Sequence, residues 1–304
     1  LVVKGALFNA NEAFAGGAIA ATAGSLYVAN ATFEGNAAER AGAIYTLVPT
    51  TIVASSFTNN KAEATGYASK NITGGAIYAR EEIVFEMDSE SDSTLAVSFV
   101  GNVAEVAGAL YAEKGFSVKG DLIAMNNSAL NNERYATEVE NNYGAIYAGG
   151  AVNIDGNASF ENNAADGSFA GLYAAGAVDV SGTAIFKNNI ATGDYGALYA
   201  NGDVNIGGEA AFIGNAGALV GGVFAKGSVA VGAGANVSNN TGNGIKATGS
   251  VVIGADETAE NRDFILSGNV ATSGAGVSAG KVVINGSMIA NDNTATEGKG
   301  GAIE

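Results

Sequence analysis

The side-chain chemistry open to this chain is that of carboxylates, hydroxyls and amides, because its sequence contains no histidine and no cysteine. The densest acidic stretch is EEIVFEMDSESDST, in which Glu86, Asp88, Glu90 and Asp92 alternate with other residues. On an extended segment these four carboxylates would share one side, whereas Ca²⁺ needs about six to eight oxygens that converge on one point. We therefore predict a solvated charged loop and no metal site.

Three further carboxylates, Asp155, Asp179 and Asp203, recur at similar places in repeated phrases and could form a catalytic pair of the kind that polysaccharide-degrading enzymes use. Such a pair has to lie across a cleft. The sequence has no tryptophan, its 14 lysine and arginine residues are dispersed, and no lengthened repeat suggests a cleft. We predict that the protein is not an enzyme and uses no cofactor; a polysaccharide-degrading enzyme is the third alternative for its function.

The composition of the chain limits the classes of partner that it could bind. The formal net charge is −16, from 30 acidic and 14 basic residues. This balance argues against nucleic acid or an anionic membrane as a partner, because both need clustered basic side chains. No run of about 18 apolar residues is present, so we predict no membrane-spanning segment. The opening residues LVVKGALFNA do not read as a signal peptide, and the chain starts and stops within a repeated pattern; we expect a mature or excised segment of a larger protein.

Two short phrases recur along the whole chain. The first phrase has two small residues, an alanine or glycine, and an aliphatic residue, which falls at Ile19, Ile44, Ile77, Leu110, Ile146, Leu172, Leu198, Val223, Ile245, Val277 and Ile303. The second phrase, F-x-x-N, is complete seven times, as Phe8 and Asn11, Phe33 and Asn36, Phe57 and Asn60, Phe99 and Asn102, Phe160 and Asn163, Phe186 and Asn189, and Phe212 and Asn215. Weaker copies stand at 123–126, 237–240 and 266–269. The repeat length of roughly 22–26 residues, sometimes extended, is typical of one solenoid coil.

Each phrase predicts a short strand. A third segment, such as AVNIDG at 151–156, alternates apolar Val152 and Ile154 with polar neighbours, which is the period of a strand with one buried face. Glycine, asparagine and serine separate the segments, as turns require. We predict an all-β parallel β-helix, a solenoid with three short strands per coil and about 11 coils, and a rod on the order of 50 Å long.

The repeated residues have distinct expected roles. The phenylalanine of F-x-x-N should fill the core, and its asparagine should stand at a corner, tolerate left-handed geometry and stack with its equivalents in a ladder. Glycine in the first phrase supplies backbone without a Cβ at a crowded turn. The complete GGAI copies contain Gly16 and Gly17, Gly74 and Gly75, and Gly300 and Gly301.

The residue after the aliphatic one should face outward, because neighbouring residues of a strand point to opposite sides. In seven consecutive copies it is aromatic, and these are the candidate binding residues: Tyr45, Tyr78, Tyr111, Tyr147, Tyr173, Tyr199 and Phe224. Two interpretations remain open. The aromatic residues form a stacked ladder that stabilises or underlies a covered face, or they form a flat surface for a glycan or protein partner. The small residue before the aliphatic one should also face outward, which suggests a crowded face.

The chain is predicted to be a single domain, 1–304. Lengthened repeats push loops out of a solenoid, and four insertions are expected at about 61–73, 80–95, 129–142 and 255–264. These loops are further candidates for partner contacts.

The alternation of GGA[ILV] with F-x-x-N resembles the polymorphic outer membrane protein family, whose passenger domains carry these two tetrapeptides. GGAI stands complete at 16–19, 74–77 and 300–303, and the resemblance covers nearly the whole chain. It implies a right-handed β-helix that is exported as an autotransporter passenger and displayed outside the cell, associated with the outer membrane. This sequence departs from the family in having no cysteine.

The function expected from this resemblance and from the aromatic residues is that of a bacterial surface adhesin. It would bind a glycan or protein of a host or neighbouring cell along one side of the rod and through its loops. The alternative is a structural subunit of an extracellular fibre or surface layer, in which end coils stack head to tail.

Overall fold

The computed structural model describes residues 1–63, 73–130, 142–260 and 262–304. Within these ranges the chain forms short strands and turns and no helix, and every strand pair is parallel.

In residues 1–63 the strands are β1 (Val2–Lys4), β2 (Leu7–Asn9), β3 (Glu12–Ala15), β4 (Ile19–Ala21), β5 (Leu26–Ala29), β6 (Thr32–Glu34), β7 (Ala37–Arg40), β8 (Ile44–Thr46), β9 (Thr50–Val53), β10 (Ser55–Thr58) and β11 (Lys61–Ala62). In residues 73–130 they are β12 (Ile77–Ala79), β13 (Ile83–Glu86), β14 (Leu95–Val100), β15 (Val103–Ala104), β16 (Leu110–Ala112), β17 (Phe116–Lys119), β18 (Asp121–Met125) and β19 (Ser128–Ala129).

In residues 142–260 the strands are β20 (Ile146–Ala148), β21 (Val152–Asp155), β22 (Ala158–Glu161), β23 (Ala164–Ala165), β24 (Leu172–Ala174), β25 (Val178–Val180), β26 (Ala184–Lys187), β27 (Ile190–Ala191), β28 (Leu198–Ala200), β29 (Val204–Ile206), β30 (Ala210–Ile213), β31 (Ala216–Ala225), β32 (Val229–Val231), β33 (Ala235–Ser238) and β34 (Thr241–Ile253). In residues 262–304 they are β35 (Phe264–Ser267), β36 (Val270–Ala271), β37 (Val277–Ile284), β38 (Met288–Asn291) and β39 (Thr294–Ala295).

The strands stack in four columns. The F-x-x-N strands form a sheet of eleven, in the order β2-β6-β10-β14-β18-β22-β26-β30-β33-β35-β38. The other 28 strands form one continuous sheet, which contains the strands of the first phrase, those of the third segment, and a fourth set that follows each F-x-x-N. The members of this fourth set have two to four residues, except where they are continuous with the first phrase in β31 and β34. The predicted all-β parallel solenoid is confirmed, and the fourth short strand is an addition.

The phenylalanines of F-x-x-N fill the interior, as predicted. Phe33 and Phe57 are completely buried, and their rings stack with centroids 4.7 Å apart. The same stacking joins Phe160 to Phe186 at 4.8 Å. Phe8, in the first such strand, is only partly buried. Stacked rings in consecutive coils remove large apolar surfaces from water and require each coil to lie directly over the last.

The asparagines of F-x-x-N form a buried ladder. Asn60 Nδ2 donates to Oδ1 of Asn102 and to the main-chain oxygen of Phe33, both at 3.0 Å. Its Oδ1 accepts from the main-chain nitrogen of Asn36 at 3.0 Å and from Nδ2 of Asn36 at 2.9 Å. Both donors and both acceptor positions of the side chain are therefore satisfied. The pattern joins Asn11, Asn36, Asn60, Asn102, Asn127, Asn163, Asn189, Asn215, Asn240, Asn269 and Asn293.

Two details of the ladder differ from the prediction. The left-handed residue is the one before the ladder asparagine, as at Asn162 (φ 56°) and Gly214 (φ 66°), which explains why glycine or asparagine often stands there. In the weak copy at 123–126 the register is also one residue later than predicted, because Ala124 pairs with Phe99. The ladder residue is therefore Asn127, and Asn126 has the left-handed backbone (φ 56°).

The first phrase is a crowded corner, as predicted for its glycines. Gly74 has a φ of +68°, and a Cβ on Gly75 would lie 1.9 Å from the main-chain oxygen of Gly108. The prediction that the following small residue faces outward is wrong, since Ala76 is completely buried in the core beside Ile77. The main-chain nitrogens of Ala76 and Ile77 both donate to the oxygen of Ala109 at 2.9 Å. The chain bends here, so strand alternation begins only at the aliphatic residue.

Two of the four expected insertions lie between strands that the structure describes. Between β13 and β14 the chain makes a turn at 88–92, within the expected 80–95, and the expected 255–264 separates β34 from β35. Most of the other two insertions, 64–72 and 131–141, lies outside the described residues, as does residue 261.

The contribution of the asparagine ladder to stability can be tested by substituting two adjacent residues, Asn163 and Asn162. Replacing buried Asn163 with alanine removes four hydrogen bonds, leaves the main-chain nitrogen of Asn127 without its acceptor and leaves Nδ2 of Asn127 with Phe99 as its one partner, so we expect the free energy of unfolding to fall by about 3 kcal/mol or more. The control is Asn162→Gly, at an exposed left-handed position that glycine tolerates, with a change of less than about 1 kcal/mol expected. Chemical denaturation measures both, and equal losses would contradict the ladder's role.

Candidate functional site

The seven candidate binding residues lie in register on the outer side of one strand column. Tyr78 pairs with Tyr45 on one side and with Tyr111 on the other, and the pairing continues through Tyr147, Tyr173 and Tyr199 to Phe224. Each strand buries the residues on either side of the ring, such as Ile77 and Ala79. We call these seven residues the aromatic column.

The rings of the aromatic column are stacked face to face along the rod. Neighbouring centroids are 4.5–5.7 Å apart, and the interplanar angles are 4–25°. Each inner ring therefore has both faces covered by its neighbours and offers its edge to the outside. Tyr199 is 8% exposed, and the other six are half-buried.

Several hydroxyl groups of the aromatic column have polar partners. The Tyr78 hydroxyl donates to a carboxylate oxygen of Glu113. The Tyr199 hydroxyl donates to Oδ1 of Asn201 at 3.0 Å, and Nδ2 of Asn201 lies 3.4 Å from the Tyr173 hydroxyl oxygen. The outer edge of the column thus combines apolar ring edges with a row of hydroxyl groups held in place by neighbours.

A second set of rings lies beside the aromatic column, at positions that the repeat pattern did not single out. Tyr143, Phe169 and Tyr195 stack with centroids 5.1 and 5.2 Å apart. They pack against the column at steep angles, with Tyr143 4.6 Å from Tyr147 and Tyr195 4.7 Å from Tyr199. The available signal was the first residue of the phrases YGAIY, FAGLY and YGALY, where other copies have glycine, alanine or, in one case, valine.

Burial suppresses ionisation of these tyrosines. It is the main cause that raises the pKa of Tyr111 from 10.0 to about 12, with neighbouring Tyr147 and Glu113 adding to the shift. Burial and the hydrogen bond with Glu113 raise the pKa of Tyr78. The pKa of Tyr143 is raised by burial and by nearby Tyr173. The hydroxyl groups of these three tyrosines therefore stay protonated throughout the ordinary pH range.

Where the second set of rings is absent, the surface is open. A pocket of about 160 Å³ lies beside the first rings of the aromatic column, lined by Arg40, Tyr45, Thr73, Tyr78, Tyr111 and Glu113.

The acidic stretch contains no converging oxygens among the described residues. Glu86 pairs with Lys119 at 2.6 Å, whereas Asp88 accepts from the main chain of Glu90 at 3.0 Å and from Asn30 at 2.9 Å. These hydrogen bonds lower the pKa of Asp88, the main-chain bond first. Within the described ranges no group of three or more acidic side chains could hold a metal ion.

The three carboxylates considered for catalysis stand at different register positions, and Asp155 and Asp179 line one shallow pocket. Asp155 is in register with Lys119, and Asp179 is in register with Asn153 and Asn205. Asp203 accepts from the main-chain nitrogen of Ser228 at 2.7 Å. These aspartates therefore occupy different positions along their strands and have separate partners.

No family model, no curated protein and no solved structure matches this chain. Across the described ranges, no helix has the length and hydropathy needed to cross a membrane.

The raised pKa values predict how the tyrosines titrate. Below pH 10 these hydroxyls are protonated in both the folded and unfolded states, and the stability they contribute is fully present. As pH rises from 10 towards 12, the unfolded chain ionises first and that contribution is lost. We expect the free energy of unfolding to fall in this window and some tyrosinate absorbance to appear only near its upper end. Tyr111→Phe should reduce the late absorbance; a single step near pH 10 would contradict the burial.

Proposed function

We propose that this chain is the adhesin module of a bacterial surface protein and binds a partner along the side that carries the aromatic column. One observation carries the proposal. In other coils the same outward strand position is Ala20, Lys246 or Ser278, in register with the column, so the fold does not require a ring there. Seven consecutive coils nevertheless have one.

The physical character of this surface suits binding. Contiguous apolar groups that are partly exposed commonly mark interaction sites. The rings are held by stacking and by the hydrogen bonds of Tyr78 and Tyr199, so little side-chain freedom remains to be lost when a partner binds. Because the ring edges and hydroxyls face outward, the partner must offer both apolar contact and polar groups. An extended glycan and a protein segment both meet this requirement.

The resemblance to the polymorphic outer membrane protein family supports the same proposal. The buried ladder and the crowded corners give physical reasons why F-x-x-N and GGA[ILV] recur, and the eleven-stranded sheet fits a count of about 11 coils. We accordingly propose a right-handed β-helix, displayed outside the cell.

The test changes two rings in the middle of the aromatic column. The double variant Tyr147→Ser with Tyr173→Ser should lose most binding to host cells and to a glycan array, by about tenfold or more, because central aromatic contacts dominate binding energies. The matched control is Asn153→Ala with Asp179→Ala, which changes outward residues of the same two coils on the neighbouring column. This control should bind as the wild type does.

Two results would argue against the proposal. Undiminished binding by the tyrosine variant would remove the aromatic column from the binding surface. Electron micrographs with long filaments in place of discrete rods would favour the structural subunit of a fibre, the alternative function. Folding of both variants is checked by their thermal unfolding.

A further inference from the structure

The pocket lies beside the first rings of the aromatic column, in coils that carry no ring of the second set. Main-chain hydrogen bonds place Ala107 in register with Tyr143, since the nitrogen of Gly75 donates to the oxygen of Ala107 and that of Gly108 approaches the oxygen of Tyr143. Gly74 occupies the equivalent position in the preceding coil. Gly74 and Ala107 have left-handed backbone (φ 68° and 57°) and Ala107 is completely buried, whereas Tyr143, Phe169 and Tyr195 pack their rings against the column in later coils.

The size of the pocket agrees with a single small ring. The pocket has a volume of about 160 Å³, close to the roughly 150 Å³ of an engineered protein cavity that binds benzene, so it can hold one six-membered ring. Tyr45, Tyr78 and Tyr111 form one wall of the pocket, and Thr73 lies among its other lining residues.

Arg40 gives the pocket a cation. Its Nε is buried and has no hydrogen-bond partner, and it forms no ion pair with another described residue. The guanidinium carbon lies 5.9 Å from the centre of the Phe14 ring, which helps to hold the side chain in place. A planar guanidinium with free donors is suited to a carboxylate, which it can bind through two parallel hydrogen bonds.

Glu113 is a second charged residue of the pocket and further limits which ligands can bind. Its carboxylate lines the same pocket and already accepts a hydrogen bond from Tyr78, so it presents acceptors to any ligand. A ligand that fits both groups needs a carboxylate for Arg40 and hydroxyl or amide donors for Glu113. The net charge of −16 also disfavours a polyanion, so the ligand should carry a single carboxylate.

We propose that this pocket is a subsite for a terminal carboxylated pyranose of a glycan, with its carboxylate on Arg40 and its ring beside Tyr45 and Tyr78. This assignment rests on the proposed adhesin function and names the glycan end that the aromatic side would recognise.

Calorimetric titration with sialyllactose, and with lactose as the neutral probe that lacks the acidic sugar, tests the assignment. We expect sialyllactose to bind at least about tenfold more tightly than lactose. Arg40→Gln should remove that difference, and Arg40→Lys should retain part of it because the charge remains. The matched control is Lys226→Gln, which removes a cation 6.0 Å from the Tyr199 ring at the other end of the column and should leave the affinity unchanged.

Equal affinity for the two sugars, or an Arg40→Gln variant that binds sialyllactose as the wild type does, would overturn the assignment. The test of the proposed function is independent of this one, because its substituted residues, Tyr147 and Tyr173, do not line this pocket. If the tyrosine double variant loses cell binding and Arg40→Gln does not, the adhesin function stands and the subsite assignment is wrong. Thermal unfolding of the Arg40 variants confirms that they are folded.

Discussion

The rest of the structure depends on one requirement, that a buried side-chain amide in each coil finds its partners in the next coil. Asn60 satisfies both donors and both acceptor positions only because Asn36 and Asn102 stand at the same place in neighbouring coils. An unpaired buried amide costs about 1–3 kcal/mol, so a shift of register by one residue would be penalised at every coil. The ladder thereby fixes the register that the stacked core rings and the outer strands follow.

The aromatic column follows from that fixed register. Because coils lie directly over one another, an outward residue at one position meets its equivalents above and below, and seven rings in sequence become a stack with centroids 4.5–5.7 Å apart. The same geometry lets later coils add a second set of rings and leaves a pocket where those rings are missing. Variation on the outside of the rod is therefore free to serve binding, while the inside stays nearly constant.

Much of the fold could be predicted from the sequence, because the residues that contribute most to core packing and to the ladder recur in every coil. Phe33 and Asn36 have equivalents at near-constant spacing, and that spacing alone implies stacked coils. Prediction fails where the chain bends. Strand alternation places Ala76 outside, yet the corner turns it into the core. Residue type favours left-handed backbone at the ladder asparagine, whereas the left-handed residue precedes it.

The candidate site was predictable only in part, for a related reason. Periodicity identified Tyr78 and its equivalents, since they occupy a constant place in a phrase. Tyr143 stands where most other copies have glycine or alanine, a position whose expected role was in folding alone, so the repeat pattern did not identify it. The pocket depends on Arg40 and Glu113, which are far apart in the sequence and meet only through register.

Hydrogen exchange of the asparagine side-chain amides tests the central claim most directly. We predict slow exchange along the buried ladder from Asn36 to Asn269 and fast exchange at exposed Asn162, because the ladder amides are buried and fully hydrogen-bonded whereas Asn162 is exposed to solvent. Equally fast exchange at both would contradict the account.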